Sequence, residues 1–281
     1  QLKELAQNIS YGNIHEGVKM TVHRMSTIDD ELRDRYDEAS PPLLAISKQL
    51  QRSITRQLQD QRRGGKQTGL YMGRRLDIHS LPRNDGRVFS KMSLPNETPE
   101  LALALLLDES GSMGCGSRAT YARASAIILY DFCQSLGIPV MVYGHSAYSG
   151  VELYSYAEFD SIDKLDRYRL MDISARGNNR DGAALRFVAE QLAKRPEDIR
   201  LLILVSDGQP ADSGYYGTAA EEDLRGIKTE YRRKGICFVA AAIGDNKDSI
   251  ERIYGDAYMD ISDLHTLPIT LTNVVKRFIR T

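Results

Sequence analysis

The sequence predicts an α/β protein: a doubly wound, mostly parallel sheet with an N-terminal helical and extended arm. Three observations predict it. LALALLLD (101–108) and RLLILVSDG (200–208) are apolar without interruption, as strands covered on both faces are. From residue 100 onward such runs alternate with amphipathic segments of helical period. Residues 1–98 lack that alternation and read as helix followed by turn-rich extended chain. The expected division is an arm over 1–98 and an α/β domain over 99–281.

The elements follow in order. STIDDELRDRY sets a Ser ahead of acids, a good helix start. Leu43, Ile46, Leu50, Ile54 and Leu58 recur at spacings of three and four and form one helical face. Pro41 and Pro42 suit a first turn, so two helices divided there are expected. RRGGKQTG reads as a basic loop. The stretch to residue 99, with turn signals at Asn84-Asp85-Gly86 and Pro95-Asn96, reads as a small hairpin or extended arm. After the 101–108 strand come a helix over about 118–136 and strands over 138–145 and 151–159. A helix over 181–195, the strand at 200–208, a helix over 218–235 and a buried strand over 235–244 follow. SIERIYG and LPITLTNVVKRFIRT read as closing helices.

Bulk properties narrow the function. Net charge is −1, but residues 1–98 carry +4 and the remainder −5, and residues 48–91 hold 11 basic against 3 acidic side chains. Such a segment fits an acidic protein face or plain solvation better than nucleic acid, which is not the expected partner. Cys115, Cys133 and Cys237 are odd in number and form no CxxC, which fits a reducing cytoplasm and neither a disulfide framework nor a zinc site. No run of 18 apolar residues exists, so no membrane span is expected. The opening QLKELAQNIS has no signal-peptide character and no start Met, so a longer parent chain is expected.

The chemistry gathers where the apolar runs end. Asp108 and Asp207 each close a run that reads as a central strand. In open α/β sheets ligands bind outside the carboxyl ends of the strands. Two carboxylates brought together there resist joint ionisation, and a cation between them removes the conflict. Ser110 and Ser112 add hydroxyl oxygens, and Gly111 is expected to let the loop bend tightly. Hard oxygen donors with few carboxylates suit Mg²⁺, with Mn²⁺ as the alternative. A plainer reading makes Asp108 and Ser110 caps of the helix that begins near residue 117. It does not account for the second acid in S-D-G (206–208).

Asp108-x-Ser110-x-Ser112 after an apolar strand resembles the metal-ion-dependent adhesion site of von Willebrand factor A domains. ILVSDG resembles that family's later strand and its aspartate, here Asp207. The family's third loop carries Thr before a helix; here ARGNNRDGAAL sets Asn179 at the usual Thr position and Asp181 two residues on. The resemblance covers about 99–281 and implies a Rossmann-like fold. It implies metal ligation by Asp108, Ser110, Ser112 and Asp207, with Asn179 or Asp181 from the third loop. N-x-D-G-x-A-L (179–185), with GRRLDIHSLPRNDGRVF (73–89) upstream, is similar to the A domains of the cobaltochelatase subunit and of nitric-oxide reductase activation proteins. That likeness implies a MoxR-type or chelatase-type AAA+ ATPase as partner, with a metalloprotein or chelatase subunit as target.

The expected function is a non-catalytic, metal-dependent interaction subunit whose ion takes a partner carboxylate. Gly111, Tyr215 and Tyr216 are expected at the partner-binding rim. The alternative is an Mg²⁺-dependent hydrolase or phosphotransferase using Asp108 and Asp207, for which a second metal cluster or an obvious general base is expected beside the motifs. Lys66 is followed by Gln67 and lacks the upstream Gly of a phosphate loop, so RRGGKQTG is not one. His145 reads as a loop histidine bonded to backbone, Cys115 as incidental and Cys237 as core.

Overall fold

The structure is a computed structural model and describes residues 2–62, 65–72, 75–83, 87–93, 100–208, 210–244, 247–261 and 263–279. The chain divides into two compact units: Gln1–Gln51 with Glu100–Thr281, and Arg52–Pro99.

The strands of the first unit are β1 (Met20–His23), β5 (Leu101–Asp108), β6 (Val140–Ala147), β7 (Val151–Ala157), β8 (Ile199–Ser206), β11 (Ile236–Ala242) and β12 (Tyr258–Asp260). Between them in the chain lie β2 (Gly65–Leu70), β3 (Arg75–Leu76) and β4 (Phe89–Ser93) of the second unit, and the short pair β9 (Ala211–Asp212) and β10 (Tyr215–Tyr216). The seven strands form one sheet in the order β1-β7-β6-β5-β8-β11-β12. β6, β5, β8, β11 and β12 run parallel, while β7 is antiparallel to β6 and carries β1 parallel to itself.

The helices are α1 (Leu2–Gln7), α2 (Asp30–Arg62), α3 (Arg118–Leu136), α4 (Asp166–Arg169), α5 (Asp181–Ala193), α6 (Gly217–Arg233), α7 (Lys247–Tyr254) and α8 (Leu267–Ile279). Successive β5 residues face opposite sides of the sheet. Ala102, Ala104 and Leu106 join one buried cluster with Leu185, Phe187 and Val188 of α5 and Leu224 and Ile227 of α6. Leu103, Leu105 and Leu107 are equally buried on the other side, where α3 packs on β5 and β6. Double coverage explains why these runs show no alternation.

Three expectations change. α2 continues through Pro41 and Pro42 as one helix of 33 residues. Both prolines are exposed, as are Asp37 and Glu38 one turn earlier, so water can satisfy the carbonyls that lose their donors. Residues 1–51 group with the sheet rather than with an arm, because β1 pairs residue for residue with β7 from Met20↔Val151 to His23↔Tyr154. Residues 65–70 are strand rather than loop. The second unit holds β2, β4 and β3 as an antiparallel sheet in that order. Asn84-Asp85-Gly86 and Pro95-Asn96 lie outside the described residues. Among the described residues no helix is long and apolar enough to cross a membrane.

Candidate metal centre

β5 is the middle strand, flanked by β6 and β8, so its carboxyl end opens at the centre of the sheet edge. Asp108 closes β5 and is 1 % exposed. Its Oδ1 accepts the Ser110 backbone N–H at 2.8 Å, and its Oδ2 accepts from Asn179 Nδ2 at 2.8 Å and from Ser206 Oγ at 2.9 Å. Ser110 Oγ lies 2.9 Å from Ser112 Oγ, and Ser112 Oγ donates to Asp207 Oδ1 at 2.9 Å. Arg118 Nη1 donates to Asp207 Oδ2 at 2.6 Å. The acids that end the two central strands thus belong to one unbroken hydrogen-bonded chain. The capping role is not taken up: Ser110 precedes a 3-10 turn that starts at Gly111 and breaks at Cys115 and Gly116, and it makes no side-chain cap bond.

The third loop is held by backbone on both sides. Asn178 exchanges two hydrogen bonds with Ala147 of β6, at 2.8 and 2.7 Å, and Asn179 pairs with Ala211 of β9. Gly177 is required for the first of these, since a Cβ there would sit 2.5 Å from the Ala147 carbonyl oxygen. Gly111 donates its N–H to the Gly177 carbonyl at 2.7 Å. It does not adopt the left-handed backbone; Gly116 and Ser117 do, with φ of 56° and 62°. The tight bend expected at Gly111 therefore falls at the entrance to α3.

Burial, followed by the Asp181 carboxylate, pushes Asp108 up from its ordinary 3.8 to about 6. Glu109, also buried, is pushed to about 7 although Tyr156 and Arg176 both donate to it. His145 is not a loop residue: it lies in β6 opposite Asp108 in register and is fully buried. Its Nε2 is 3.1 Å from Asp181 Oδ1, without the alignment of a hydrogen bond. Burial works to lower the His145 pKa, but Asp181, Asp108 and Glu109 outweigh it and the net direction is up.

Asn179 Oδ1 and Asp181 Oδ1 are buried without a hydrogen-bond partner, an unusual state for oxygens in a folded interior. Among the described residues no three His, Cys, Asp or Glu side chains form a metal cluster. What gathers instead is two hydroxyls, one amide oxygen and two carboxylates, a hard-oxygen set suited to Mg²⁺ or Mn²⁺. Asp181 Oδ1 points to His145, while Asn179 turns its amide nitrogen to Asp108 and keeps its Oδ1 buried without a hydrogen-bond partner.

Of the residues expected at the rim, Tyr215 is not accessible. Tyr216 is 70 % exposed, whereas Tyr215 is fully buried with its hydroxyl donating to Asp223 at 2.9 Å, so it is closed to a partner. Adjacent strand residues face opposite ways, and only one of the pair could reach solvent. Tyr148, at 87 % exposure just beyond Ala147, is an exposed aromatic next to the third loop that the sequence did not single out. Arg118 was missed too, because nothing in sequence ties it to Asp207. His145 was open to discovery, because aligning the ends of the two strand runs brings it beside Asp108.

A family model of the von Willebrand factor type A domain matches residues 102–259. YojO of Bacillus subtilis (strain 168) is 22 % identical over 272 residues, covering 90 % of this chain and 42 % of that protein. Protein NorD of Brucella melitensis biotype 1 is 25 % identical over 177 residues, covering 62 % of this chain and 25 % of that one. The chain therefore spans less than half the length of either relative. The crystal structure of the vWF domain of the type V pili tip protein Mfa5 from Porphyromonas gingivalis superposes with a TM-score of 0.50 at 11 % identity, covering 66 % of this chain and 98 % of that one. At that identity the likeness speaks to the fold alone.

Proposed function

This chain belongs to the von Willebrand factor type A domain family, and from that premise we propose that it is a metal-dependent interaction module, not an enzyme. Asp108, Ser110, Ser112, Asn179 and Asp207 would hold one Mg²⁺ or Mn²⁺ ion. When bound, the ion supplies a Lewis-acid contact for a carboxylate of a partner protein. The supporting observation is the hydrogen-bonded chain from Asn179 through Asp108, Ser110 and Ser112 to Asp207, with Asn179 Oδ1 buried and unpartnered. Asp108 and Asp207 bring the negative charge, while the serines and Asn179 bring neutral oxygens. Burial of Asp108 lowers the local dielectric, so a charge-assisted contact here is stronger than one in open water. Tyr216 and Tyr148 stand exposed beside the third loop, where they can pack on the partner around its carboxylate.

We further propose a MoxR-type AAA+ ATPase as the partner and a metalloprotein or chelatase subunit as the target, in the cytoplasm. Similarity to Protein NorD and the N-x-D-G-x-A-L pattern support this reading. The test is capture of such an ATPase by the full chain in Mg²⁺ and in EDTA, with Asp108→Ala alongside. The proposal expects capture only by the unmodified chain in Mg²⁺; equal capture in EDTA contradicts it. The hydrolase reading has one feature in its favour, the His145–Asp181 pair, with His145 beside Asp108 in register. Metal-dependent release of phosphate from p-nitrophenyl phosphate, lost in Asp108→Ala, would establish that reading instead.

A further inference from the structure

Arg180 stands between Asn179 and Asp181, and its side chain turns away from Asp108 and Asp207. Its Nε donates to Asp212 Oδ2 at 2.9 Å and its Nη2 to the Ser213 carbonyl at 2.8 Å. Its Nη1 donates to the Ile14 carbonyl at 3.2 Å and to His15 Nδ1 at 3.3 Å. A guanidinium only donates, so His15 Nδ1 must accept and the ring proton sits on Nε2. That proton is given to Asp223 Oδ2 at 3.0 Å, which also accepts the Tyr215 hydroxyl at 2.9 Å. His15 is wholly buried and Arg180 nearly so. The group is therefore a directed relay, Arg180 to His15 to Asp223, closed on the far side by Tyr215.

Two features show that the backbone is built around this relay. Gly182 follows Asp181, and a Cβ there would lie 2.2 Å from Asp223 Oδ2, 2.3 Å from Tyr215 Oη and 2.8 Å from His15 Nε2. The first turn of α5 thus approaches the relay as closely as a residue without a side chain permits. His15 is itself fixed: its N–H and C=O close turns onto Gly12 and Val18, and Lys19 bonds the Val151 N–H where β1 joins the sheet.

We infer that His15 is a positioning residue of the metal centre, fixing through Arg180 and Asp223 the loop that presents Asn179 and Asp181. The segment 12–18 is then a working part of a site formed 165 positions later. The effect on affinity rests on the metal reading above; the effect on loop order does not.

The test uses the full chain with His15→Ala, Asp223→Asn and the more conservative His15→Gln, which keeps a donor toward Asp223. Mn²⁺ affinity is followed by electron paramagnetic resonance, and hydrogen exchange is followed at residues 177–182, with β5 and β8 as the internal standard. Groups that orient metal ligands from behind typically change affinity 10–100-fold. His15→Ala should weaken Mn²⁺ binding about tenfold, at the low end of that range. It should also speed exchange at 177–182 while β5 and β8 stay protected; His15→Gln should fall between. His23→Ala, outside the relay, should change neither. If His15→Ala does not fold, Asp223→Asn decides by the same two readouts. Unchanged affinity and exchange in the folded variants overturn the inference. So does weakened affinity with unchanged exchange, because the loop would not be what His15 holds. Faster exchange in a chain that takes up no Mn²⁺ even unmodified supports the positioning of the loop by His15 and removes the metal reading.

Discussion

Asp108→Asn should make the metal-free protein more stable while destroying its metal site. Asp108 is 1 % exposed, and burial together with Asp181 raises its pKa from 3.8 to about 6. That interval corresponds to about 3 kcal/mol at neutral pH, the cost of keeping the carboxylate ionised in the fold. Because the folded pKa lies above the unfolded one, the cost is absent below about pH 4, grows between 4 and 6, and is constant above. The amide removes it. The substitution also turns one acceptor into a donor facing Asn179 and Ser206, a loss of about 1 kcal/mol. Asn179 can turn its amide over and offer Oδ1, which has no present partner. The net gain is about 2 kcal/mol, or roughly 3–4 °C in Tm for a chain of this size. Urea unfolding in EDTA at pH 7.5 measures it, and the difference should shrink toward pH 5. Adding Mg²⁺ should reverse the order, since only the unmodified chain gains binding energy. A variant less stable than the parent by 1 kcal/mol or more in EDTA at pH 7.5 would refute the buried-charge reasoning.

Other consequences follow from the same geometry. Metal uptake should release a proton from Asp108, so Mn²⁺ affinity should be flat above pH 6 and fall toward tenfold per pH unit below it, measured by titration calorimetry in two buffers. Gly177→Ala would place a Cβ 2.5 Å from the Ala147 carbonyl oxygen and push the third loop off β6; Mn²⁺ affinity should drop at least tenfold while far-ultraviolet circular dichroism stays unchanged. Arg118→Ala removes a cation 2.6 Å from Asp207 Oδ2, so Mg²⁺ should bind several-fold more tightly, with equal affinity counting against Asp207 as a ligand. Tyr216→Ala should weaken partner capture without moving metal affinity, whereas Tyr215→Ala should lower stability by about 3 kcal/mol through loss of a buried ring.

The central strands were legible in the sequence because double burial removes polar residues from both faces, leaving β5 and β8 as uninterrupted apolar runs. The acids at their ends were legible for the same reason: an acid that ends such a run stands out. β1 was not legible. Four residues, MTVH, have no distinctive pattern, and their strand state comes from pairing with β7, some 130 positions away. Pro41 and Pro42 misled because their effect depends on whether the carbonyls they strand can reach water, which only packing decides. Tyr215 and Tyr216 look alike in the sequence, but strand geometry turns neighbours to opposite sides, so one is buried and the other exposed. The His15–Arg180 contact had no local signal at all, since the residues between the partners exceed half the chain.

The central claim is that Asp108, Ser110, Ser112, Asn179 and Asp207 hold one divalent ion. Calorimetric titration of the EDTA-stripped chain with MnCl₂, with and without acetate, tests it most directly against Asp108→Asn. One equivalent bound, tighter when acetate is present and abolished by the substitution, is the predicted result. No uptake under either condition, or equal uptake by the substituted chain, would contradict it.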